Sequence, residues 1–147
     1  MNNLQKECLE LRDEINNHQR CLIFAGNGIR LSQTTEQLKI FLKKYNIPAV
    51  FSYGGIDLID YNSPYWIGVI GVKGTRAGNF ALQNCDLLLV LGCCLNTPQI
   101  GYMGEKFAPK TKKIVVDLDG ENHKKNIGVK IDKIIECELG EFFKYML

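Results

Sequence analysis

The hydrophobic positions of this chain fall into two patterns that alternate along its length. Short runs such as Cys21 to Ala25 are apolar at every position, whereas longer segments carry apolar residues every three or four positions in a polar background. The first pattern is typical of a strand buried on both faces, and the second is typical of an amphipathic helix. We predict strands at 21–25, 49–53, 66–70, 87–92, 112–119 and 131–135. We predict helices at 4–17, 35–46, 75–84 and 138–147.

Strands that alternate with helices, each strand being apolar on both faces, predict an α/β fold. The expected architecture is a three-layer, Rossmann-like parallel sheet of about six strands with helices on both faces. The run 87–91 (LLLVL) is the most apolar in the chain and is expected at the centre of the sheet.

Individual helices carry further expectations. Ser32 and Thr34 are placed to cap the second helix through their side chains. The helix at 75–84 is expected to carry Ala77, Phe80 and Ala81 on one face. The closing helix is expected to turn inward the four residues Leu139, Phe142, Phe143 and Met146.

The charge balance excludes two classes of partner. The chain has 147 residues, with 18 Lys and Arg against 16 Asp and Glu, so its net charge of +2 is too small for a nucleic-acid or membrane-surface protein. Its longest apolar run, 87–95, is too short to span a membrane, and residues 1–7 do not resemble a secretory signal. We therefore expect a cytoplasmic protein.

The sequence predicts neither a catalytic residue nor a metal site. None of the six cysteines forms a C-x-x-C pair, so we expect them to be reduced, and Cys93 and Cys94 to pack rather than react. His18 and His123 lie outside any catalytic spacing and are expected at the surface. The lysines at 106, 110, 112 and 113 are expected to form a solvated face.

Glycines and carboxylates gather directly after the predicted strands, where a parallel sheet binds ligands. Glycine leaves backbone amides open to phosphates, and carboxylates can accept hydrogen bonds from ribose hydroxyls. This composition is that of a nucleotide site. The residues are Gly26, Asn27, Gly28, Gly54, Gly55, Gly71, Gly74, Gly92, Asp117 and Asp119.

Each of these residues also has a structural interpretation, and the sequence leaves both open. Gly26-x-Gly28 lacks the third glycine of the dinucleotide fingerprint, and a glycine after a strand commonly forms a turn. Asp117 and Asp119 alternate on a predicted strand and so point to the same side, yet they could equally cap the following turn. Lys73 could meet a phosphate or lie exposed in solvent.

Five sequence blocks, in this order and at compatible spacings, carry a resemblance to a known family. They are 26–29 (GNGI), 47–50 (IPAV), 71–81 (GVKGTRAGNFA), 85–92 (CDLLLVLG) and 116–119 (VDLD). Together they resemble the central domain of thiamine diphosphate-dependent enzymes, in particular acetolactate synthase and acetolactate-synthase-like proteins. The resemblance covers residues 4–147.

The resemblance implies a place within a larger, homo-oligomeric enzyme. In that family a pyrimidine-binding domain and a diphosphate-binding domain flank the central domain and hold thiamine diphosphate and Mg²⁺ between them, across a dimer. The full-length protein would decarboxylate a 2-oxo acid and transfer the product, whereas this chain alone would be inactive. We expect residues 1–19 to form a linker helix packed on the domain, and residues 20–147 to form the central, nucleotide- or FAD-binding-like domain. We also expect the chain to be an excised domain, with a naturally short gene product as the alternative.

The resemblance further implies contacts to FAD, which is mainly structural in acetolactate synthase. The implied contacts are Gly26, Asn27 and Gly28 near the phosphates, Gly71, Lys73, Gly74 and Thr75 along the cofactor, and Asp117 and Asp119 near the adenosine, with Gly92 included because it follows the central strand. The flavin-binding members carry Gly-x-Arg-Phe-Asp-Asp-Arg after that strand, whereas this chain continues as CCLNTPQ at 93–99. FAD, ADP and an empty site therefore all remain open.

Two other interpretations compete with this one. The chain could be a stand-alone module that binds FAD, NAD or ADP. It could also be a sirtuin-like enzyme of the same fold, but it lacks a zinc-binding cysteine quartet and a positioned catalytic histidine.

Overall fold

The computed structural model describes residues 1–125 and 128–147. The strands are β1 (Cys21–Ala25), β2 (Ala49–Phe51), β3 (Trp66–Val69), β4 (Leu87–Leu91), β5 (Lys112–Asp117) and β6 (Lys133–Glu136). The helices are α1 (Asn3–Asn17), α2 (Gly28–Leu31), α3 (Thr35–Tyr45), α4 (Arg76–Asn84), α5 (Thr97–Ile100), α6 (Gly120–Lys124) and α7 (Leu139–Met146). Short 3-10 turns occur at Tyr53–Gly55 and Gly104–Lys106.

The strands form one parallel sheet in the order β3-β2-β1-β4-β5-β6. The two middle strands pair in register from Cys21 and Leu87 to Ala25 and Leu91. The predicted parallel sheet is confirmed, and β4 lies at its centre as expected. Because every strand runs the same way, the loops that follow the strands all meet at one edge, the carboxyl edge.

Successive strand residues point alternately into two hydrophobic cores, one on each face of the sheet. In β4, Leu87, Leu89 and Leu91 pack in the core that contains α1, α3 and α7. Leu88 and Val90 pack in the opposite core with side chains of α4. A strand buried on both faces needs apolar residues at every position, so the continuous apolar run is explained and the three-layer prediction is confirmed.

The larger core depends on aromatic packing between α3 and α7. Phe142 and Phe143 are fully buried, and their ring centroids lie 6.1 and 5.8 Å from that of Phe41. Leu139 and Met146 are buried beside them, so the prediction for the inward face of the closing helix is confirmed. These helices hold β1 and β4 rigidly from one side.

The apolar face predicted for α4 is not its buried face. Phe80 is 69% exposed, whereas Gly78 and Leu82 are buried. A Cβ at Gly78 would lie 2.6 Å from the carbonyl oxygen of Val69, so this position must be glycine for α4 to approach β3. Phe80 lies about 200° around the helix from Gly78 and therefore points into solvent.

The predicted side-chain cap of α3 was also wrong. Thr34 occupies the position before the helix, but its hydroxyl donates to the carbonyl oxygen of Ile29 at 3.3 Å. The Ser32 hydroxyl donates to the same oxygen at 3.1 Å. The unpredicted helix α2 ends here and leaves carbonyl groups that need donors, which these hydroxyls supply.

The lysine cluster is not entirely solvated. Lys113 is only 1% exposed, its ammonium group donates to the carbonyl oxygen of Thr111 at 3.0 Å, and burial lowers its pKa. The alternation of β5 explains this placement, because Lys113 points to the same face of the sheet as Val115, which packs in the core beside α4. Among the described residues, no helix is both long enough and apolar enough to cross a membrane.

Candidate functional site

A crevice of about 540 Å³ opens at the carboxyl edge of the sheet. It lies over the ends of β1, β2, β4 and β5, and the beginning of α7 closes one side. Its volume falls within the range of small-molecule sites. The lining residues are Asn27, Gly28, Leu31, Ser32, Ser52, Gly54, Gly92, Cys93, Cys94, Asn96, Gln99, Asp117, Leu118, Glu138 and Leu139.

The structure separates the predicted cofactor-binding residues into two groups. Asn27, Gly28, Gly92 and Asp117 line the crevice. The remainder lie elsewhere: Gly26 is buried behind Cys93, Asp119 precedes α6, and Gly71, Lys73, Gly74 and Thr75 form the loop between β3 and α4. Their role in cofactor binding stays a prediction.

The glycines around β1 allow two stretches of backbone to pack closely. A Cβ at Gly28 would lie 2.7 Å from both the Cα and the carbonyl oxygen of Gly92. A Cβ at Gly26 would lie 2.6 Å from the Cβ of Cys93. The amide groups of Gly26 and Gly28 donate to the carbonyl oxygens of Leu91 and Gly92 at 3.0 and 2.8 Å. These two glycines are therefore required for close packing within the protein, and their amides are bonded to its own backbone.

The loop at 71–75 also satisfies its own amide groups. Gly71 has a φ of +117°, and a Cβ there would lie 2.4 Å from the carbonyl oxygen of Pro98. The amide groups of residues 71 to 75 donate in turn to Asn79 Oδ1 (3.0 Å), Pro98 O (2.9 Å), Tyr53 Oη (2.7 Å), Gly71 O (3.0 Å) and Val69 O (2.8 Å). A phosphate could use these amides only by displacing the present acceptors.

One carboxylate of the crevice is held by a buried histidine. The Nε2 of His123 donates to Oδ2 of Asp117 at 2.8 Å. His123 is 3% exposed, so the expectation that it lies at the surface was wrong. Burial alone would raise the pKa of Asp117, but the hydrogen bond and charge of His123, together with hydrogen bonds from the backbone amides of Leu118 and Asp119, hold that pKa below its usual value. Asp117 is therefore a fixed, ionised acceptor in the crevice wall.

Asp117 and Asp119 do not share one side of a strand, contrary to the prediction. Strand β5 ends at Asp117, and Asp119 is the N-cap of α6, where its Oδ1 accepts from the amide of Asn122 at 3.1 Å. The capping interpretation that the sequence left open describes this contact.

The two adjacent cysteines differ in environment. Cys93 is buried, and desolvation raises its pKa to about 12, while its thiol lies 3.5 Å from Oε1 of Gln99. Cys94 is exposed in the crevice wall. The remaining charged lining residue besides Asp117 is Glu138, so both charges of this lining are negative. Within the described residues, no group of three or more His, Cys, Asp or Glu side chains could hold a metal ion.

These residues do not fit the diphosphate of FAD or ADP. A diphosphate needs backbone amides or cationic side chains, but the amides of Gly26, Gly28 and Gly92 are already bonded to backbone carbonyls and the charged lining is acidic. The nearby guanidinium of Arg30 donates to Asn27 Oδ1 at 2.8 Å, to Gly54 O at 2.7 Å and to the carboxylate of Asp57. The structure thus supplies a crevice without the cradle that a diphosphate requires.

Sequence reasoning did not identify several lining residues as candidates. Ser52 directly follows β2, and its place at a strand end was a usable signal. Asn96 and Gln99 come from the loop around α5, and Glu138 from the residue before α7. Asn96 and Gln99 lie in the segment 93–99 that replaces the charged residues of the flavin-binding members, so their place after the central strand was a usable signal. Nothing in the local sequence marks Glu138 as facing a ligand.

Comparisons with known proteins match this chain to one family. A sequence model described as "Thiamine pyrophosphate enzyme, central domain" matches residues 9–141. This match runs from α1 into α7 and includes the whole sheet.

The curated relatives agree with that match. The chain is 31% identical over 113 residues to acetolactate synthase isozyme 2 large subunit of Escherichia coli, which is 77% of this chain and 20% of that protein. It is 31% identical over 120 residues to a probable acetolactate synthase large subunit of Methanococcus aeolicus, covering 82% of this chain and 20% of the relative. It is 28% identical over 121 residues to the acetolactate synthase large subunit of Parasynechococcus marenigrum, covering 80% and 19%. The chain spans about a fifth of the length of these relatives.

Proposed function

Because this chain belongs to the family of thiamine pyrophosphate enzyme central domains, we propose that it serves as the non-catalytic central domain of an enzyme similar to acetolactate synthase. The observation that carries the proposal is the family match over residues 9–141, which includes every strand of the sheet. The parent enzyme would decarboxylate a 2-oxo acid and transfer the product to an acceptor. Thiamine diphosphate with Mg²⁺, when bound by the parent enzyme, supplies the electron sink for that chemistry.

Within this proposal the chain acts through its shape and surface. Residues 1–19 would be the linker helix and residues 20–147 the domain, with a pyrimidine-binding domain and a diphosphate-binding domain as its neighbours. The buried side chains of α1, Cys8, Leu11 and Ile15, belong to the larger core, so the helix can transmit a fixed orientation to a preceding domain. The chain would space the two catalytic domains.

The exposed apolar residues at the carboxyl edge support a docking role. Large apolar side chains lie exposed in the loops after successive strands, and Tyr102 is 94% exposed. Large apolar side chains exposed at one edge of a domain are candidates for an interface. We propose that this apolar rim contacts the neighbouring domains in a homo-oligomer, such as a dimer. Its members are Leu31, Tyr53, Val72, Tyr102 and Leu118.

The alternative of a stand-alone FAD, NAD or ADP module is not favoured. The crevice carries two carboxylates, and the amides of Gly26, Gly28 and Gly92 are bonded to backbone carbonyls. We also propose a cytoplasmic location. All six cysteines are unpaired thiols, as is usual in a reducing compartment.

The experiment that tests the proposal is to sequence the complete reading frame and to purify its full product. We expect the frame to continue into a segment with a Gly-Asp-Gly metal motif. We expect the product to release CO₂ from pyruvate only when thiamine diphosphate and Mg²⁺ are added. The 147-residue chain assayed in parallel is the control and should be inactive. A frame that encodes these residues alone would contradict the proposal and favour the stand-alone module.

A further inference from the structure

The crevice combines two carboxylates, one of them held by a buried histidine, with hydrogen-bond donors that are neutral. Oδ2 of Asp117 is held by His123, and the exposed carboxylate of Glu138 lies on the same lining. Asn27 uses its Oδ1 to accept from Arg30, so its carboxamide offers Nδ2 as a donor. Hydroxyl groups both donate and accept, and they are the ligand groups that match such a set.

The rest of the lining is apolar. Leu31, Leu118 and Leu139 contribute to the wall, and the first two of them are exposed. Small-molecule sites usually combine an apolar wall with a few polar groups that fix orientation. A ligand with an apolar ring and hydroxyl groups would match both the apolar side chains and the polar groups of this lining.

We propose that the crevice binds a small, uncharged, hydroxyl-bearing organic molecule and excludes ligands that carry phosphate. The exclusion has two physical causes. The negative charges of Asp117 and Glu138 repel an anion, and the amides of Gly26 and Gly28 are already bonded to backbone carbonyls. The nearby guanidinium of Arg30 is held away from a phosphate by its contacts to Asn27, Gly54 and Asp57, and the carboxylate of Asp57 offsets its charge. This inference goes beyond the spacer role proposed above and does not depend on it.

Adenosine and ADP form a matched pair of probes, because they differ only by the diphosphate. Each is titrated by calorimetry into the 147-residue chain, with amide chemical shifts of Asn27 and Gly92 reporting whether binding occurs in the crevice. We expect a dissociation constant at least about tenfold lower for adenosine than for ADP at low salt. We expect added salt to narrow this difference, because salt screens the repulsion.

Two variants and one control separate the crevice charges from general effects. Glu138→Gln should improve ADP binding several-fold and leave adenosine binding nearly unchanged. Cys94→Arg, which places a cation in the exposed wall, should improve ADP binding further. The control Glu10→Gln removes an exposed carboxylate near Lys133 at the start of β6, on the opposite edge of the sheet, and should change neither affinity.

Two results would overturn the proposal. One is ADP binding as tightly as adenosine to the unmodified chain, with an affinity that falls as salt is added. The other is no binding of either compound at millimolar concentration in chains that melt like the unmodified protein. Neither result bears on the reading-frame test, so failure here is distinguishable from failure of the proposed function.

Discussion

Replacing Gly28 by alanine should destabilise the ligand-free protein, because this glycine is required for packing. Gly28 is the first residue of α2 and does not have a positive φ, so alanine is allowed by its backbone conformation. The added methyl group would meet the Cα and the carbonyl oxygen of Gly92 at 2.7 Å. Both are backbone atoms in the loop after the central strand, and neither can rotate away as a side chain could.

The expected cost follows from this geometry. An overpacked site that cannot relax through side chains costs about 2 to 3 kcal/mol of unfolding free energy. For a domain of this size, each kcal/mol lowers the melting temperature by about 3 °C, so we expect a loss of about 6 to 9 °C. A matched control exists at Gly140 in α7, where an added Cβ meets nothing within 4 Å. Gly140→Ala should stabilise the protein by about 0.5 to 1 kcal/mol through helix propensity.

Urea unfolding of both variants, followed by circular dichroism without any ligand, measures these changes. The midpoint should fall for Gly28→Ala and rise slightly for Gly140→Ala, with the slope unchanged in each case. If Gly28→Ala unfolds within about 0.5 kcal/mol of the unmodified chain, the close backbone approach does not constrain this position. The glycine would then have to be explained by a ligand after all.

Three further predictions follow from burial and charge. Phe142→Ala should cost about 3 to 5 kcal/mol in urea unfolding, because Phe142 is fully buried, whereas Phe80→Ala should change stability by less than about 0.5 kcal/mol. A thiol reagent such as DTNB should modify Cys94 first in the native chain, and Cys94→Ser should remove the fast phase, since that thiol is exposed. The folded-state pKa of Asp117 is lowered, so its contribution to stability is present above the unfolded-state pKa and is lost as pH falls through the folded one. Unfolding free energy measured below about pH 4 should therefore fall less steeply in Asp117→Asn than in the unmodified chain.

The sheet was predictable from the sequence because burial on both faces leaves a direct record. A run such as Leu87 to Leu91 is costly in any exposed or amphipathic position, and few arrangements other than a central parallel strand bury all of it. Which face of α4 is buried could not be predicted from the sequence in the same way. Phe80 is the largest apolar residue of that helix, but the need of β3 for a glycine at position 78 decides which face turns inward.

The location of the crevice was predictable from the sequence. Which of its residues face a ligand and which serve packing was not predictable. The rule that ligands bind at the carboxyl edge of a parallel sheet holds for Asn27, Gly92 and Asp117. A sequence does not distinguish a glycine required by a ligand from one required by packing. Gly26 therefore could not be assigned to either role from the sequence. His123 was missed because its contact with Asp117 crosses the turn between β5 and α6 at a spacing that no catalytic motif uses.

The residues that identify the family and the residues that would contact a ligand overlap only in part. The blocks at 26–29 and 71–81 that carry the family resemblance contain glycines whose amides and Cβ positions face the protein's own backbone. Any domain that packs its strands and helices in this way needs those glycines, whether or not it holds a nucleotide. Of the two charged residues that a ligand meets, Asp117 lies in the block at 116–119, whereas Glu138 lies outside all five blocks, as do the polar lining residues Asn96 and Gln99. A family match can therefore be firm while the cofactor of its best-known members does not fit the crevice.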